Sequence, residues 1–246
     1  MVNIVSTAKL KPYTKEKHNN IRNGVKLMLI AGITGQEGII ETANLVNSLL
    51  SSRGKKVSII DSKNLMEMSS QLINNYINEL SKNNVDILIL KISLFDIEKD
   101  VFENIHFDMM LYTNKSDTFK EANTTGYNKA MKKSFTLLNE KGTAIINIDD
   151  KDLMQFSENE KYYIITYGFN SNAVITTSSI GDILFEDNFL CYLQRTISTR
   201  NGIVIEPQEY RIKIESNNLS TYDILAAASF AIINDIDLNS INLRAN

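Results

Sequence analysis

The sequence predicts an α/β fold: a doubly wound, mostly parallel sheet with helices on both faces, plus a small antiparallel sheet. Over the first two thirds of the chain, apolar runs alternate with amphipathic helical patterns, and runs such as "VDILILKI" at 85–92 are almost continuously apolar. Strands of that kind are typical of a parallel sheet covered on both faces. After about Lys161, short strand-like runs separated by turns replace the alternation, which predicts antiparallel pairing.

The predicted parallel part begins near Lys26 and ends near Ile148. Its strands are predicted over 26–31, 57–60, 85–92, 107–112 and 143–148. Its helices are predicted over 39–52, 65–82 and 124–139. In the first of these helices Ala43, Val46 and Leu50 recur at helical spacing, so they form one apolar stripe that can face a sheet.

The predicted antiparallel part follows the parallel part in the chain. Its strand-like runs are "YYIITYG", "AVITTSSI", "NFLCYLQRTIS" and "IVIEPQEYRIKIE". The Arg200-Asn201-Gly202 sequence between the last two runs is typical of a hairpin turn. An apolar stretch over 221–234 predicts a final buried helix. Residues 1–25 are polar and basic without a period, so we predict a linker or arm there and a single domain over 26–246.

Composition and charge argue against several function classes. The 246 residues carry a net charge of -3, which gives no electrostatic reason to expect nucleic acid or an anionic membrane as a partner. No apolar run reaches about 18 residues and the N-terminus has no long apolar core, so neither a membrane span nor a signal peptide is expected. One Cys and 2 His argue against a disulfide framework and a zinc site, and they fit a cytoplasmic protein. Metals with oxygen ligands remain open.

A phosphate-binding, P-loop-like turn is predicted between the first strand and the first helix. Gly32, Gly35 and Gly38 are evenly spaced in this turn, which also contains Thr34. Glycine loops of this kind occur in ATP sites, in dinucleotide sites and in tight turns without a ligand. The glycines by themselves do not decide between these three possibilities.

The residues around the last glycine do not suit a phosphate. A P-loop has Lys and then Ser or Thr at this point, whereas this chain has Ile39 and Ile40, with Glu37 before the glycine and Glu41 after it. At about 4 Å and an effective dielectric near 20, each unit charge pair is worth about 4 kcal/mol. Two carboxylates can therefore cancel most of the roughly 8 to 10 kcal/mol of a micromolar-or-better triphosphate site. Glu41 is also expected to satisfy free N–H groups of the first helical turn.

Several motifs, in order, resemble the central ATP-binding domain of the Mur ligases, the ATP-dependent enzymes that add amino acids to peptidoglycan precursors. The motifs are "GITGQEGIIET", "FDMMLYTNKSD", "GYNKAMKKSF", "AIINIDDKD", "YYIITYGFNSNAVITTSSI" and "STYDILAAASFAI", spread over about 25–236. The first resembles the family's G-I-T-G-T-N-G-K-T-T-T, the third its Y-x-x-A-K helix and the last its N-x-x-N-x-L-A-A. The resemblance implies the fold of that domain, ATP and magnesium as cofactors, and a role in cell-wall precursor synthesis.

The catalytic and metal-binding residues of the family are replaced at each of the motifs. Ile39 and Ile40 match the Lys that grips the phosphates and the hydroxyl residue that binds magnesium. Lys91 matches a Glu that is a metal ligand, Thr118 matches a metal-binding His, and Met131 matches a carbamylated Lys. These degenerate positions include no carboxylate and only one oxygen donor, so we expect no magnesium and no intact catalytic residue.

Some residues could still contact a nucleotide. They are Gly32, Thr34, Gly35, Gly38, Thr42, Asp149 and Asp150. The glycines are expected to serve backbone conformation once the Lys is gone. The two aspartates follow a strand end and favour a cap or turn, with a ribose contact as the alternative. Ser220 and Asp223 match the family's two nucleotide-contacting Asn residues, and Lys91 is expected to be solvated or, alternatively, paired with Glu37 or Glu41.

We therefore favour a cytoplasmic pseudoenzyme without a cofactor, a binding or scaffold protein that acts through an unknown protein partner or as a homo-oligomer. The first alternative is an ATP-dependent amide ligase, with ATP and magnesium, in which Lys132 or Lys91 replaces the lost cation. The second is a nucleotide-binding sensor, which requires an open glycine loop. A Mur ligase also needs an N-terminal and a C-terminal domain, and we expect that neither is accommodated in this chain.

Overall fold

The computed structural model of this protein describes residues 21–22, 25–114, 124–155, 161–178, 188–215, 219–239 and 241–244. Its strands are β1 Ile21–Arg22, β2 Val25–Lys26, β3 Leu29–Gly35, β4 Val57–Asp61, β5 Ile87–Ser93, β6 Phe107–Tyr112, β7 Leu138–Asn147, β8 Tyr163–Tyr167, β9 Ile175–Thr176, β10 Asn188–Leu193, β11 Ile197–Ser198, β12 Val204–Ile205, β13 Gln208–Glu215 and β14 Ile241–Arg244. Its α-helices are α1 Ile39–Ser51, α2 Ser70–Lys82, α3 Thr124–Thr136, α4 Lys151–Met154 and α5 Thr221–Ile233.

Ten of the described strands form one sheet, in the order β14-β13-β10-β9-β8-β7-β6-β3-β5-β4. The strands from β4 to β9 pair in parallel, whereas β10 is antiparallel to both β9 and β13. The predicted α/β fold is therefore confirmed. The antiparallel strands β10 and β13 continue the parallel sheet, and the β11–β12 hairpin forms a small separate antiparallel sheet with Gly202 in its turn.

Helices cover both faces of the sheet, as the doubly wound prediction requires. On one face, α1 and α5 pack on each other and on the sheet, and their buried side chains share a cluster with alternate residues of β3 and β5. On the other face, residues of α2 and α3 share a second cluster with the remaining residues of those strands. The parallel strands are thus buried on both sides, which explains their continuously apolar sequences.

Some predicted element boundaries are wrong because local hydrogen bonds compete with apolar periodicity. The helix predicted over 65–82 is divided: Ser62–Leu65 forms a 3-10 turn, and α2 starts only at Ser70. Ser69 ends the intervening loop, since its side chain accepts a hydrogen bond from the backbone N–H of Leu72. Likewise α3 stops at Thr136, and the chain enters β7 at Leu138.

Two further differences concern the ends of the domain. The run "IVIEPQEYRIKIE" forms two strands, β12 and β13, on either side of Pro207, which has no N–H to donate to a ladder. β14 was not predicted, and it pairs in parallel with β13. Most of the predicted arm, residues 1–20, lies outside the described residues, and β1 pairs with β2 just before β3. None of the described helices is long and apolar enough to cross a membrane.

Candidate functional site

The glycine loop connects the carboxyl end of β3 to the first turn of α1. Gly38 is the N-cap of α1 and has a φ of 76°, a left-handed conformation that side chains rarely adopt. A Cβ at Gly38 would also overlap the Oδ1 atom of Asp223, and a Cβ at Gly35 would overlap the Oγ1 atom of Thr113. Both glycines are therefore required by contacts within the protein, without reference to a ligand.

Backbone N–H groups of the loop are already used by a neighbouring strand end. The amides of Gln36 and Glu37 both donate to the carbonyl oxygen of Asn114, at 3.1 Å and 3.2 Å. Asn114 is held in turn by Asn147, whose Nδ2 donates to its Oδ1 at 2.8 Å. These contacts fasten the loop to the segments that follow β6 and β7. The two N–H groups are consequently satisfied without an anion.

A carboxylate from α5 reaches the first turn of α1. Thr42 is fully buried, and its hydroxyl donates to Asp223 Oδ1 at 3.2 Å. Asp223 also forms a capping box with Ser220, which donates its backbone N–H and its hydroxyl to Oδ2. Burial raises the pKa of the Asp223 carboxyl above its ordinary value, although these donors lower it in part.

The remaining side chains of the loop are hydrophobic or acidic. Ile39 is half-buried, Ile40 is 57% exposed, and Glu37 and Glu41 are both exposed. Among the described residues no side chain caps α1 at Gly38, and Glu41 makes no hydrogen bond to the helix N–H groups. The expectation that Glu41 satisfies these groups is therefore wrong. The N-terminus of α1 has two loop carboxylates and the Asp223 carboxylate around it, and no cation at position 39.

Two positions that are predicted to match family metal ligands lie on opposite faces of the sheet. Lys91 is on the β5 face that packs against α1 and α5, and its Nζ lies 3.5 Å from Asp61 Oδ2. The predicted alternative of an ion pair with Glu37 or Glu41 is therefore wrong. Met131 is fully buried in the cluster on the opposite face of the sheet. Thr118 lies outside the described residues.

The paired aspartates after β7 have structural hydrogen bonds. Asp150 is the N-cap of α4, accepts from the backbone N–H groups of Asp152 and Leu153, and also accepts from the hydroxyl of Tyr127 at 2.8 Å. Asp149 accepts from the backbone N–H of Phe169 at 2.6 Å. Asp150 therefore caps a helix and Asp149 stabilises the turn at Phe169. A nucleotide contact by either residue remains a prediction.

Two aromatic side chains accompany Asp149 and were not identified from the sequence. The rings of Phe169 and Tyr222 meet edge to face at a centroid distance of 5.0 Å, and the hydroxyl of Tyr222 donates to Asp149 at 3.2 Å. A sequence signal existed only for Tyr222, which lies between Ser220 and Asp223 in the aligned N-x-x-N motif. Their contact joins segments more than fifty residues apart, so no local pattern could predict it.

The described residues of the site do not fit ATP with magnesium. Among the described residues, no three His, Cys, Asp or Glu side chains converge as a metal site would require. The hydroxyl of Thr34 is buried and has no hydrogen-bond partner in the described part of the chain, but it supplies no charge. Ile39 and the three surrounding carboxylates provide no cation for a phosphate.

Comparison with known proteins shows which family the chain belongs to. The chain is 22% identical over 242 residues to a UDP-N-acetylmuramoyl-L-alanyl-D-glutamate--2,6-diaminopimelate ligase of Caldanaerobacter subterraneus subsp. tengcongensis, covering 91% of this chain and 46% of that protein. A solved structure of a ligase with the same name has a TM-score of 0.64 at 18% identity, covering 87% of this chain and 44% of that one. A MurF ligase from Thermotoga maritima, in complex with ADP, has a TM-score of 0.53 at 16% identity and covers 88% and 49%.

The chain therefore covers between 34% and 46% of the length of the curated relatives it matches. The structural similarities show the shared fold. A family model described as the Mur ligase middle domain matches residues 33–228, which is most of the chain. The resemblance of the motifs is thus confirmed, and this chain belongs to the Mur ligase middle domain family.

Proposed function

We propose that this chain is a non-catalytic Mur-ligase-like domain, a pseudoenzyme that acts as a binding or scaffold protein in cell-wall precursor synthesis. The observation that carries the proposal is the carboxylate of Asp223, which is bonded to Thr42 and packed on Gly38 at the N-terminus of α1. A phosphate bound at this helix end would either displace that carboxylate or be repelled by it, because two negative charges so close together repel each other.

The charges around the loop support the same proposal. A helix N-terminus offers a phosphate only about half a positive charge, whereas Glu37, Glu41 and Asp223 offer up to three negative charges. Glu37 and Glu41 are exposed, so water screens each of them to roughly 1 kcal/mol at 4 Å. Asp223 is buried and is screened less. Without the family's Lys at position 39, the loop has no positive side chain to offset this repulsion.

The family relationship supports the cell-wall part of the proposal, since the relatives are named as ligases of UDP-N-acetylmuramoyl peptides. We propose that the domain acts in the cytoplasm through an unidentified protein partner or through a second copy of itself. A net charge of -3 gives no reason to include nucleic acid among the partners.

A nucleotide-binding sensor is the second candidate function. The observation that favours it is that no side chain in the described part of the chain caps α1, which leaves N–H groups of its first turn available. A related solved structure is in complex with ADP, although this says only what that protein binds.

An ATP- and magnesium-dependent amide ligase is a weaker alternative, because it needs a substitute cation. Lys91 is held by Asp61, and Lys132 is exposed on α3 beside the buried Met131.

Calorimetric titration with ATP, ADP and UDP-sugars, with and without magnesium, tests the proposal. We expect no ATP binding by the wild-type protein or by Ile39→Lys alone, since Glu37 and Glu41 remain. The triple variant Ile39→Lys, Glu37→Asn, Glu41→Thr shifts the local charge by about three units and should bind ATP weakly. Adding Asp223→Asn should strengthen that binding further.

The possible results separate the three functions. ATP turnover by the unmodified protein would establish the ligase. Tight ATP binding without turnover would establish the sensor. Binding of ATP by the triple variant, but not by the wild type, would show that charge at the loop is what excludes the nucleotide.

A further inference from the structure

A cavity of about 510 Å³ lies beside the glycine loop, at the carboxyl ends of β3 and β5. Apolar side chains from three segments line it: Ile39 from α1, Leu94 from the segment after β5, and Tyr127 and Ala130 from α3. Phe95 also lines the cavity and is 81% exposed. A cavity of this size is typical of small-molecule sites, and its walls favour an apolar occupant.

The charges that line the cavity have one sign. Its lining includes the carboxylates of Glu37 and Glu98, and no Lys, Arg or His is among the described lining residues. Glu98 is neutralised by Lys129, whose Nζ lies 2.9 Å away. Glu37 is exposed and forms no ion pair within the described part of the chain. An anion would meet uncompensated negative charge here, whereas a cation would find a partner.

The hydrogen-bond donors of the loop reinforce this selectivity. The backbone N–H groups of Gln36 and Glu37, which adjoin the cavity, already donate to the carbonyl oxygen of Asn114. The hydroxyl of Tyr127 donates to Asp150. A carboxylate or phosphate that used any of these three donors would have to break an existing hydrogen bond, while an ammonium group needs acceptors only.

We propose that this cavity binds an amphipathic small-molecule cation, an apolar body with one ammonium group, whose charge is balanced by Glu37. The proposal rests on the function proposed above, because a nucleotide held by the glycine loop would occupy the same space. The altered loop thus selects a cationic ligand in place of an anionic one.

Three probes of equal length test the charge preference: octylammonium, octanol and octanoate, each titrated calorimetrically below its micellar concentration. Octylammonium should bind at least about fivefold more tightly than octanol, and octanoate should bind most weakly. Hexylammonium should bind about five- to fifteenfold more weakly than octylammonium, because each methylene removed from water contributes up to about fourfold. Equal binding of the three octyl probes would overturn the proposal.

Variants locate the site. Glu37→Gln should weaken octylammonium binding about five- to tenfold and leave octanol binding unchanged. Glu41→Gln is the matched control, because it removes a carboxylate that does not line the cavity, and it should change octylammonium binding less than about twofold. Ala130→Phe should fill the cavity and weaken both probes, with circular dichroism to establish that the variant is folded. Equal losses in the two Glu variants would contradict the assignment to Glu37.

A parallel titration with ATP and magnesium keeps this proposal separate from the proposed function. If wild-type protein binds neither ATP nor octylammonium, the cation site is refuted and the pseudoenzyme proposal stands. If it binds ATP, the pseudoenzyme proposal is refuted. If octylammonium also competes with that ATP, the cavity is part of a nucleotide site and the cation proposal is refuted as well.

Discussion

Met131, which the motif resemblance predicts to match the family's carbamylated Lys, is fully buried among apolar side chains. Its neighbour on α3, Lys132, is exposed. The α-helix places adjacent residues about 100° apart, so a Lys one position along cannot occupy the same volume. The position predicted to match the family's metal-binding side chain is therefore occupied by a core residue.

Restoring the Lys should damage the fold instead of the chemistry. Met131→Lys places an ammonium group in the apolar cluster without a partner, and this should destabilise the protein by roughly 4 kcal/mol or more. Met131→Leu keeps an apolar side chain of similar volume and should cost less than about 1.5 kcal/mol. Urea denaturation measures both. A Lys variant as stable as the Leu variant would show that position 131 has access to water.

Asp223 makes stability depend on pH in a defined direction. Its pKa is raised from an ordinary value of 3.8, so the folded state binds a proton more tightly than the unfolded state does. The contribution of this group to stability is therefore greatest at low pH and falls as pH rises from about 4 through the raised pKa.

Asp223→Asn removes this titration. Thermal unfolding of both proteins between about pH 4 and pH 7 should show the wild type losing stability relative to the variant as pH rises. A difference between the two melting temperatures that stays constant over that range would contradict the assignment, whatever its sign.

At the scale of elements, α3 is tied to α4 by the hydrogen bond from the Tyr127 hydroxyl to Asp150, the N-cap of α4. This bond also positions the Tyr127 ring in the cavity wall. Burial and the neighbouring Asp150 carboxylate raise the pKa of Tyr127, so its hydroxyl remains a donor at neutral pH.

Tyr127→Phe should therefore lower the free energy of unfolding by about 1.5 to 3 kcal/mol, because it removes one hydrogen bond to a charged acceptor and no apolar volume. Tyr76→Phe is the control, since Tyr76 is 38% exposed and its hydroxyl has no partner among the described residues. The control should lie within about 0.5 kcal/mol of wild type in the same urea titration. An equal loss in both variants would mean that the Asp150 contact contributes nothing.

At the scale of the whole molecule, one sheet joins the parallel and antiparallel parts. The cluster on the α1 and α5 face extends from Leu29 in β3 to Ile241 in β14, and it includes β10 and β13. A core shared in this way should unfold in one step, because neither part can keep its buried surface without the other.

Two single-tryptophan reporters can test this, since the chain contains no Trp. Tyr76→Trp places a reporter on α2 beside the parallel strands, and Ile203→Trp places one in the exposed turn between β11 and β12. Fluorescence of the two reporters should show the same midpoint urea concentration, and circular dichroism should agree with both. Separate midpoints would indicate two independently folding units.

The sequence by itself determined most of the elements, the order in which they occur and the family. Continuously apolar strands, the glycine loop and the run of motifs each depend on neighbours within about twenty residues, and local periodicity records such information well. The sequence also predicts that Ile39 stands in place of the family's loop Lys and that Asp223 stands in place of its second Asn. These two predicted substitutions are the basis in sequence for the proposal that the phosphate site has changed.

Only the tertiary structure decided how the site is arranged. In the structure Asp223 contacts Thr42 at the end of the loop, although the two residues are 181 positions apart in the chain. The backbone N–H groups of the loop donate to the carbonyl oxygen of Asn114. The tertiary structure also placed Lys91 and Met131 on opposite faces of the sheet, and it continued the antiparallel strands into the parallel sheet. Contacts between distant segments depend on which strands neighbour each other and which face each side chain takes. Such contacts leave no periodic signal in the chain, because they are selected by packing and by the satisfaction of buried polar groups.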